Sequence, residues 1–251
     1  LELAVVVNPE SSAAMSYARQ VGRGAGQVGI QSRIETIDRR STTESVTVLV
    51  RSLAIDPAVH GIILSLPLPD QVAVEPVASA IPSEKDVDCI SANSIGSLFS
   101  GVSSRAPGVA MAVIRLLAHY QVPLAGQRAT VVGRSLSVGK PVALLMLGED
   151  ATVTICHART THLDHITAQA DVLVSGVGQP GLITEQHVKP GATVIDVGTT
   201  YSSGSVVGDV EASAVESVAS AYSPVPGGVG PLTVYCILDN FLSLVRSRGC
   251  M

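Results

Sequence analysis

The sequence predicts an α/β protein of two lobes, each built on parallel strands. A β-branched run at 130–132 stops at Gly133, and after a short polar turn 138–147 has helical composition. Strand-like and helix-like segments alternate along the chain, the pattern of a parallel sheet covered on both faces. The 251 residues, 46% hydrophobic, suffice for one large domain or two small ones with a sizeable core.

In chain order, 3–7 reads as a strand and 11–28 as a helix weakened by Gly22, Gly24 and Gly26. A second strand is expected at 32–37. A helix is expected at 43–55, where Val46, Leu49, Val50 and Leu53 share one face. His60-Gly-Ile-Ile-Leu-Ser-Leu66 reads as a third strand, ended by Pro67-Leu-Pro69, and 82–88 is a polar loop. This βαβαβ unit lacks a glycine-rich turn after its first strand, so it reads as a substrate lobe. A connecting helix at 109–120 and a linker at 121–127 follow. The second half alternates as strand 130–132, helix 138–147, strand 152–156, helix 163–170, and strands 172–175 and 193–197. The rigid loop 223–231 leads to a helix at 232–245, expected to pack back on the first lobe. The expected divisions are 1–107, 108–231 and 232–251. Because the chain opens directly on the strand-like Leu1-Glu-Leu-Ala-Val-Val-Val7, a preceding segment is expected to be missing.

Composition narrows the function classes. Aromatic residues are 3% and Trp is absent, so stacking platforms for single-stranded nucleic acid are not expected. A net charge of −5 without a basic block argues against nucleic acid and anionic membranes as partners. No apolar run reaches membrane length, and no signal peptide is visible. Cys89, Cys156, Cys236 and Cys250 lie far apart with no Cys-x-x-Cys. That spacing suits free buried thiols and a cytoplasmic location, and no metal site is expected.

The strand, glycine turn and helix around Gly133 form the opening unit of a Rossmann-like nucleotide lobe. Gly133 permits a tight turn, Gly139 permits close approach, and N–H groups at the helix start attract phosphate. Arg134 and Ser135 lie within that turn. The pattern Gly-x-Ser-x-x-x-Gly departs from the usual Gly-x-Gly-x-x-Gly. The next strand ends in Cys156-His-Ala-Arg-Thr160, with no carboxylate to select NAD and with Arg159 available for the extra phosphate of NADP. NADP is therefore the expected cofactor, with NAD the alternative. Gly176 and Gly178 follow the third strand of this half and let backbone lie against the nicotinamide ribose. Asp196-Val-Gly198 ends the fourth strand, where residues line the cleft of open α/β sheets, and Thr199 lies just beyond.

Several segments together resemble the methylenetetrahydrofolate dehydrogenase/cyclohydrolase family. They are Gly61-Ile-Ile-Leu-Ser-Leu-Pro-Leu-Pro69, Lys85-Asp-Val-Asp88, 131–141, 151–157, 170–174, Lys189-Pro-Gly-Ala192, Asp196-Val-Gly198, Val207-Gly-Asp-Val210 and Pro224-Val-Pro-Gly-Gly-Val-Gly-Pro231. They run in the family's order over almost the whole chain, and the last is very specific. The resemblance implies two lobes with a cleft between them, a tetrahydrofolate derivative bound against NADP, and a homodimer paired through the nucleotide lobe. It also implies Tyr17 and Asp88 as catalytic residues. Substrate contacts would come from Tyr17, Ser65, Pro67, Leu68, Asp88, Pro226, Gly227, Gly228 and Pro231.

Some positions depart from the family pattern. The family carries a lysine four residues after its tyrosine, and that position is Val21. Its Gln-Leu-Pro-Leu-Pro begins here with Ser65. That lysine and glutamine form the usual water-activating pair. The glycine expected after Asp88 is Cys89, Pro-Cys-Thr-Pro has become Pro107-Gly-Val-Ala110, and a phosphate-binding serine is Ala158.

Chemistry separates the two family reactions. Hydride leaves a carbon flanked by two nitrogens whose lone pairs expel it, a step needing orientation more than a base. Ring opening by water needs proton transfer. Val21 cannot supply it, and Arg19 and Arg23 point away and stay protonated. Lys85 reads as a surface ion pair, and His157 as a structural or cofactor-edge contact. The expectation is a methylenetetrahydrofolate dehydrogenase whose cyclohydrolase activity is weak or lost. The alternative is a non-catalytic or repurposed paralogue that binds nucleotide or another small molecule.

Overall fold

The computed structural model describes residues 1–103, 105–202 and 205–249. Contacts divide the chain into two units, Leu1–Gly108 with Val234–Met251, and Val109–Thr233.

The first unit is built on strands β1 (Glu2–Val7), β2 (Gln31–Thr36) and β3 (Gly61–Ser65), joined by helices α1 (Ser12–Gln27) and α2 (Thr43–Ile55). The sheet is parallel, in order β2-β1-β3. Strand alternation sorts β1 onto two cores. Leu3, Val5 and Val7 pack with Ala14, Ala18, Val21 and Ala25 of α1. Ala4 and Val6 pack with Val46, Val50 and Leu53 of α2. Both helices start on side-chain caps: Ser11 accepts from the Ala14 N–H, and Thr42 and Ser45 form a reciprocal capping box. Packing accounts for Gly24, where a Cβ would come within 2.7 Å of Val234 Cγ1, and for the close fit of Gly22 against Ser32, but not for Gly26, which has open space there.

Short helices α3 (Val74–Ser79) and α4 (Ala92–Phe99) fill segments with no periodic signal, and α5 (Gly108–His119) follows. The second unit contains β4 (Arg128–Val132), α6 (Gly139–Gly148), β5 (Thr152–Cys156), α7 (Leu163–Thr167), β6 (Val172–Ser175) and β7 (Thr193–Asp196). Then come the antiparallel hairpin β8 (Thr200–Ser202) and β9 (Ser205–Val207), α8 (Ala212–Val215) and β10 (Ala221–Ser223). Its five-stranded sheet is parallel, in order β10-β7-β6-β4-β5. The chain leaves β4 for β5 on one side and returns to β6 on the other. The order therefore reverses between β4 and β6, the place where open α/β sheets hold ligands beyond their strand ends. The α/β class and the Rossmann-like parallel sheet agree with expectation.

Helix α9 (Val229–Ser247) starts three residues earlier than its periodicity indicates, because Pro231 fits a first helical turn. Val234, Ile237, Leu238, Phe241, Leu244 and Val245 join the core around Leu3, Val5 and Ile63. Helix α7 is shorter than expected, and the Thr167 hydroxyl turns back onto the Leu163 carbonyl at 3.0 Å. Cys89, Cys156 and Cys236 are buried; Cys250 lies outside the described residues.

Candidate active site and nucleotide site

Gly133 has φ +127°, a conformation that suits glycine, and its N–H donates to the Cys156 carbonyl at 2.9 Å. The turn after β4 is thereby tied to the end of β5, which brings Arg134 and Arg159 to the same end of the sheet. Both arginines are exposed. A Cβ on Gly139 would overlap the Gly133 carbonyl and lie 2.7 Å from the Arg134 nitrogen. Gly139 is therefore a packing requirement of the turn. Ser135 Oγ accepts from the N–H groups of Val138 at 3.1 Å and Gly139 at 3.3 Å. Two N–H groups expected to face phosphate are thus covered by Ser135, whose own O–H is left as a donor. His157 Nδ1 accepts from the Arg159 N–H at 3.2 Å, so it shapes the loop that carries Arg159.

Across the switch point, a Cβ on Gly133 would stand 2.7 Å from the Gly176 carbonyl, so the loops after β4 and β6 touch. Gly178 has φ +70° and its carbonyl accepts from Thr200 Oγ1 at 3.0 Å. Thr199 is exposed beside it. Asp196 does not line an open strand end. It is 1% exposed, and its carboxylate accepts from the N–H groups of Gly198, Asp209 and Val210. This parallel sheet, with a glycine turn and two arginines at one strand end, is of the dinucleotide-binding class.

In the first unit, Tyr17 packs against the core through its ring while remaining half-buried. Burial, with the charge of Asp88 adding to it, raises its hydroxyl well above the usual tyrosine value, so it stays a proton donor. Burial also raises Asp88 to about 7; a hydrogen bond from the Gly108 N–H opposes the rise and the charge of Asp86 adds to it. That bond, 2.8 Å to Asp88 Oδ1, ties Asp88 to the first turn of α5. Asn240 of α9 donates to the carbonyls of Val87 at 3.1 Å and Ala106 at 2.8 Å, stapling the segments on either side of that bond. Neither Gly108 nor Asn240 is marked in the sequence by a charged or reactive type, and only the fold reveals them.

Val21 is 0% exposed and belongs to the apolar cluster of Val5, Ala18 and Ile237. Ser65 is equally buried, and its hydroxyl donates to the Ala14 carbonyl of α1 at 3.0 Å. Lys85 is not the expected surface ion pair: it is 9% exposed, and its ammonium donates to the Asp56 carbonyl at the end of α2 at 2.8 Å. Burial, with Arg248 nearby, lowers its pKa. Pro67 is exposed after a cis Leu66–Pro67 bond, whereas the Leu68 side chain packs in the second core of this unit. Pro226, Gly227 and Pro231 are exposed in the second unit, Gly227 at φ +105°. The Gly228 N–H closes the loop onto the Pro224 carbonyl at 2.8 Å.

Comparison with known proteins accords with this geometry. Residues 1–88 match the family described as "Tetrahydrofolate dehydrogenase/cyclohydrolase, catalytic domain", and 107–248 match its "NAD(P)-binding domain". The chain belongs to the tetrahydrofolate dehydrogenase/cyclohydrolase family. It is 48% identical over 98% of its length to the bifunctional protein FolD of Parafrankia sp., covering 88% of that relative. A Trypanosoma brucei methylenetetrahydrofolate dehydrogenase-cyclohydrolase, solved with NADP cofactor and inhibitor, superposes with TM-score 0.92 at 34% identity, over 98% of this chain and 87% of that one. A silkworm (Bombyx mori) 5,10-methylenetetrahydrofolate dehydrogenase superposes with TM-score 0.88 at 35% identity, over all of this chain and 88% of that one.

Proposed function

We propose that this protein is an NADP-dependent methylenetetrahydrofolate dehydrogenase in which the cyclohydrolase step is lost or weak. Family membership across both units supports the first half of the reading. It does not favour a non-catalytic paralogue. The observation that carries the second half is the burial of Val21 and Ser65. Neither side chain can hold or move a proton at a substrate atom, and Lys85 is committed to the end of α2.

NADP, when bound, takes up the hydride. The nucleotide turn fits such a group, since the Ser135 hydroxyl is left as a donor and the exposed Arg134 and Arg159 guanidiniums suit phosphate. Tyr17 stays protonated and orients the folate by donating a hydrogen bond. Asp88 binds polar pterin N–H groups, accepting as a carboxylate above about pH 7.

An absorbance assay with methylenetetrahydrofolate and either NADP or NAD tests the reading. The expected result is reduced cofactor formed faster with NADP, methenyltetrahydrofolate accumulating, and hydrolysis of that product no faster than buffer. Hydrolysis well above background would overturn the loss of that step. In the Val21→Lys, Ser65→Gln double variant, hydrolysis should rise at least about tenfold over the parent. Thermal stability should fall, because a core valine and the Ser65–Ala14 bond are removed.

The homodimer is part of the same proposal. Strand β5 is an outer strand of its sheet and has Thr152, Thr154 and Ile155 exposed, the last by 44%. An exposed outer strand of this kind, with unpaired backbone groups and one exposed isoleucine, favours pairing with another strand. Light scattering is expected to give a dimer, and Ile155→Lys to shift it toward monomer. Buried thiols support a reducing, cytoplasmic site, and no described helix is long and apolar enough to cross a membrane.

A further inference from the structure

Val207-Gly-Asp-Val210 has no part in the chemistry above, yet it contains a carboxylate that is fully buried. Asp209 is 0% exposed, a position that is costly for a charge unless hydrogen bonds replace water. The bonds come from one loop. Oδ2 accepts from Ser175 Oγ at 2.9 Å and from the Val177 N–H at 2.7 Å, and Oδ1 accepts from the Gln179 N–H at 2.8 Å. Asp196, at the end of β7, accepts a second set, from the N–H groups of Gly198, of Asp209 itself and of Val210. Two glycines let these segments interlock. A Cβ on Gly198 would overlap the Asp209 carboxylate, and one on Gly208 would overlap the Asp196 carboxylate.

The loop gripped in this way, 175–179, leaves β6 beside the switch point and touches the Gly133 turn. In a sheet ordered β10-β7-β6-β4-β5, the adenine half of a dinucleotide lies over β4 and β5, and the nicotinamide half over β6 and β7. We propose that Asp209 is a positioning residue for the nicotinamide half of the cofactor, holding the loop after β6 in one geometry through the backbone N–H groups of Val177 and Gln179 and the Ser175 hydroxyl. This inference rests on the dinucleotide reading of the site. The Asp196 carboxylate supports it at one remove by fixing the Asp209 backbone.

The test is calorimetric titration with two probes, NADP and adenosine 2′,5′-bisphosphate, which carries the adenine half alone. For Asp209→Asn, the amide cannot accept at every site the carboxylate serves. The Kd for NADP should rise at least about tenfold, while that for adenosine 2′,5′-bisphosphate stays within about twofold. Ser175→Ala, which deletes one donor and keeps the carboxylate, should weaken NADP by a few-fold with the same selectivity, and it decides the matter if Asp209→Asn does not fold. Val194→Ala, a core truncation in β7, should lower thermal stability and leave both constants unchanged. An unchanged NADP constant in the loop variants, or equal losses for both probes, would show that Asp209 only stabilises the unit. A parent protein that binds neither probe would overturn the dinucleotide reading, and this proposal with it.

Discussion

Gly139→Ala is expected to abolish measurable NADP binding and to destabilise the second unit by about 3 kcal/mol or more. The reason is geometric. The added Cβ would overlap Gly133 carbonyl atoms and press on the Arg134 nitrogen, all of which are backbone. Backbone in a tight turn cannot swing aside as a long side chain can. The first turn of α6 must therefore retreat from β4, which opens the turn that carries Arg134 and Ser135. Gly148, at the far end of the same helix, is the control, because among the described residues nothing beyond its own stretch of helix lies within 4 Å of a Cβ built there. Gly148→Ala should leave NADP affinity unchanged and stability within about 1 kcal/mol of the parent. Thermal melts and calorimetric titration read both variants. Normal NADP affinity in Gly139→Ala would mean that the turn is not the phosphate site.

Asp88→Asn is expected to raise stability at alkaline pH while lowering activity. The folded Asp88 carboxyl titrates near 7, whereas an unfolded aspartate titrates near 3.9. Below about pH 4 both states hold the proton, and the burial contributes no pH dependence. Between about 4 and 7 the unfolded chain gives up its proton first, so the native state binds more protons and stability falls as pH rises. Above 7 the loss is complete. Asparagine is neutral throughout and its Oδ1 can still accept from the Gly108 N–H. The variant should therefore lose this pH slope and gain about 1–3 kcal/mol at pH 8, a range reduced from the full linkage value because Asp88 keeps some solvent contact. Its dehydrogenase kcat/KM should drop about 10- to 100-fold, the size of a lost charged hydrogen bond to substrate. Parallel melts and rates from pH 5 to 9 check both. Equal pH slopes in parent and variant would mean that Asp88 is not charged against its surroundings in the folded protein.

A helix of several turns and strands made of β-branched runs were legible from residue types alone. Helix 43–55 and strands 152–156 and 172–175 fall where periodicity and β-branched runs put them. Short elements were not: α3, α4, α8 and the β8–β9 hairpin span too few residues to display a period. The start of α9 was missed because Gly-Pro reads as loop, although proline suits a first helical turn. Within the site, the glycine turn and the two arginines could be read from their types and spacing. Asp196 was misread, since a carboxylate at a strand end suggests an open cleft and nothing local indicates that three N–H groups enclose it. Lys85 was misread for a similar reason, because its neighbours in sequence are acidic but its partner is a carbonyl 29 residues away.

By itself, then, the sequence determined the α/β class, the alternation that makes both sheets parallel, and the ordered motifs of the family, because each is written in local residue type and spacing. The tertiary structure alone decided that Val21 is a core residue, that Gly108 and Asn240 frame Asp88, and that Asp209 grips the loop after β6. Those relations are between residues far apart in the chain, and burial and hydrogen-bond partnership are set by what folding brings beside them.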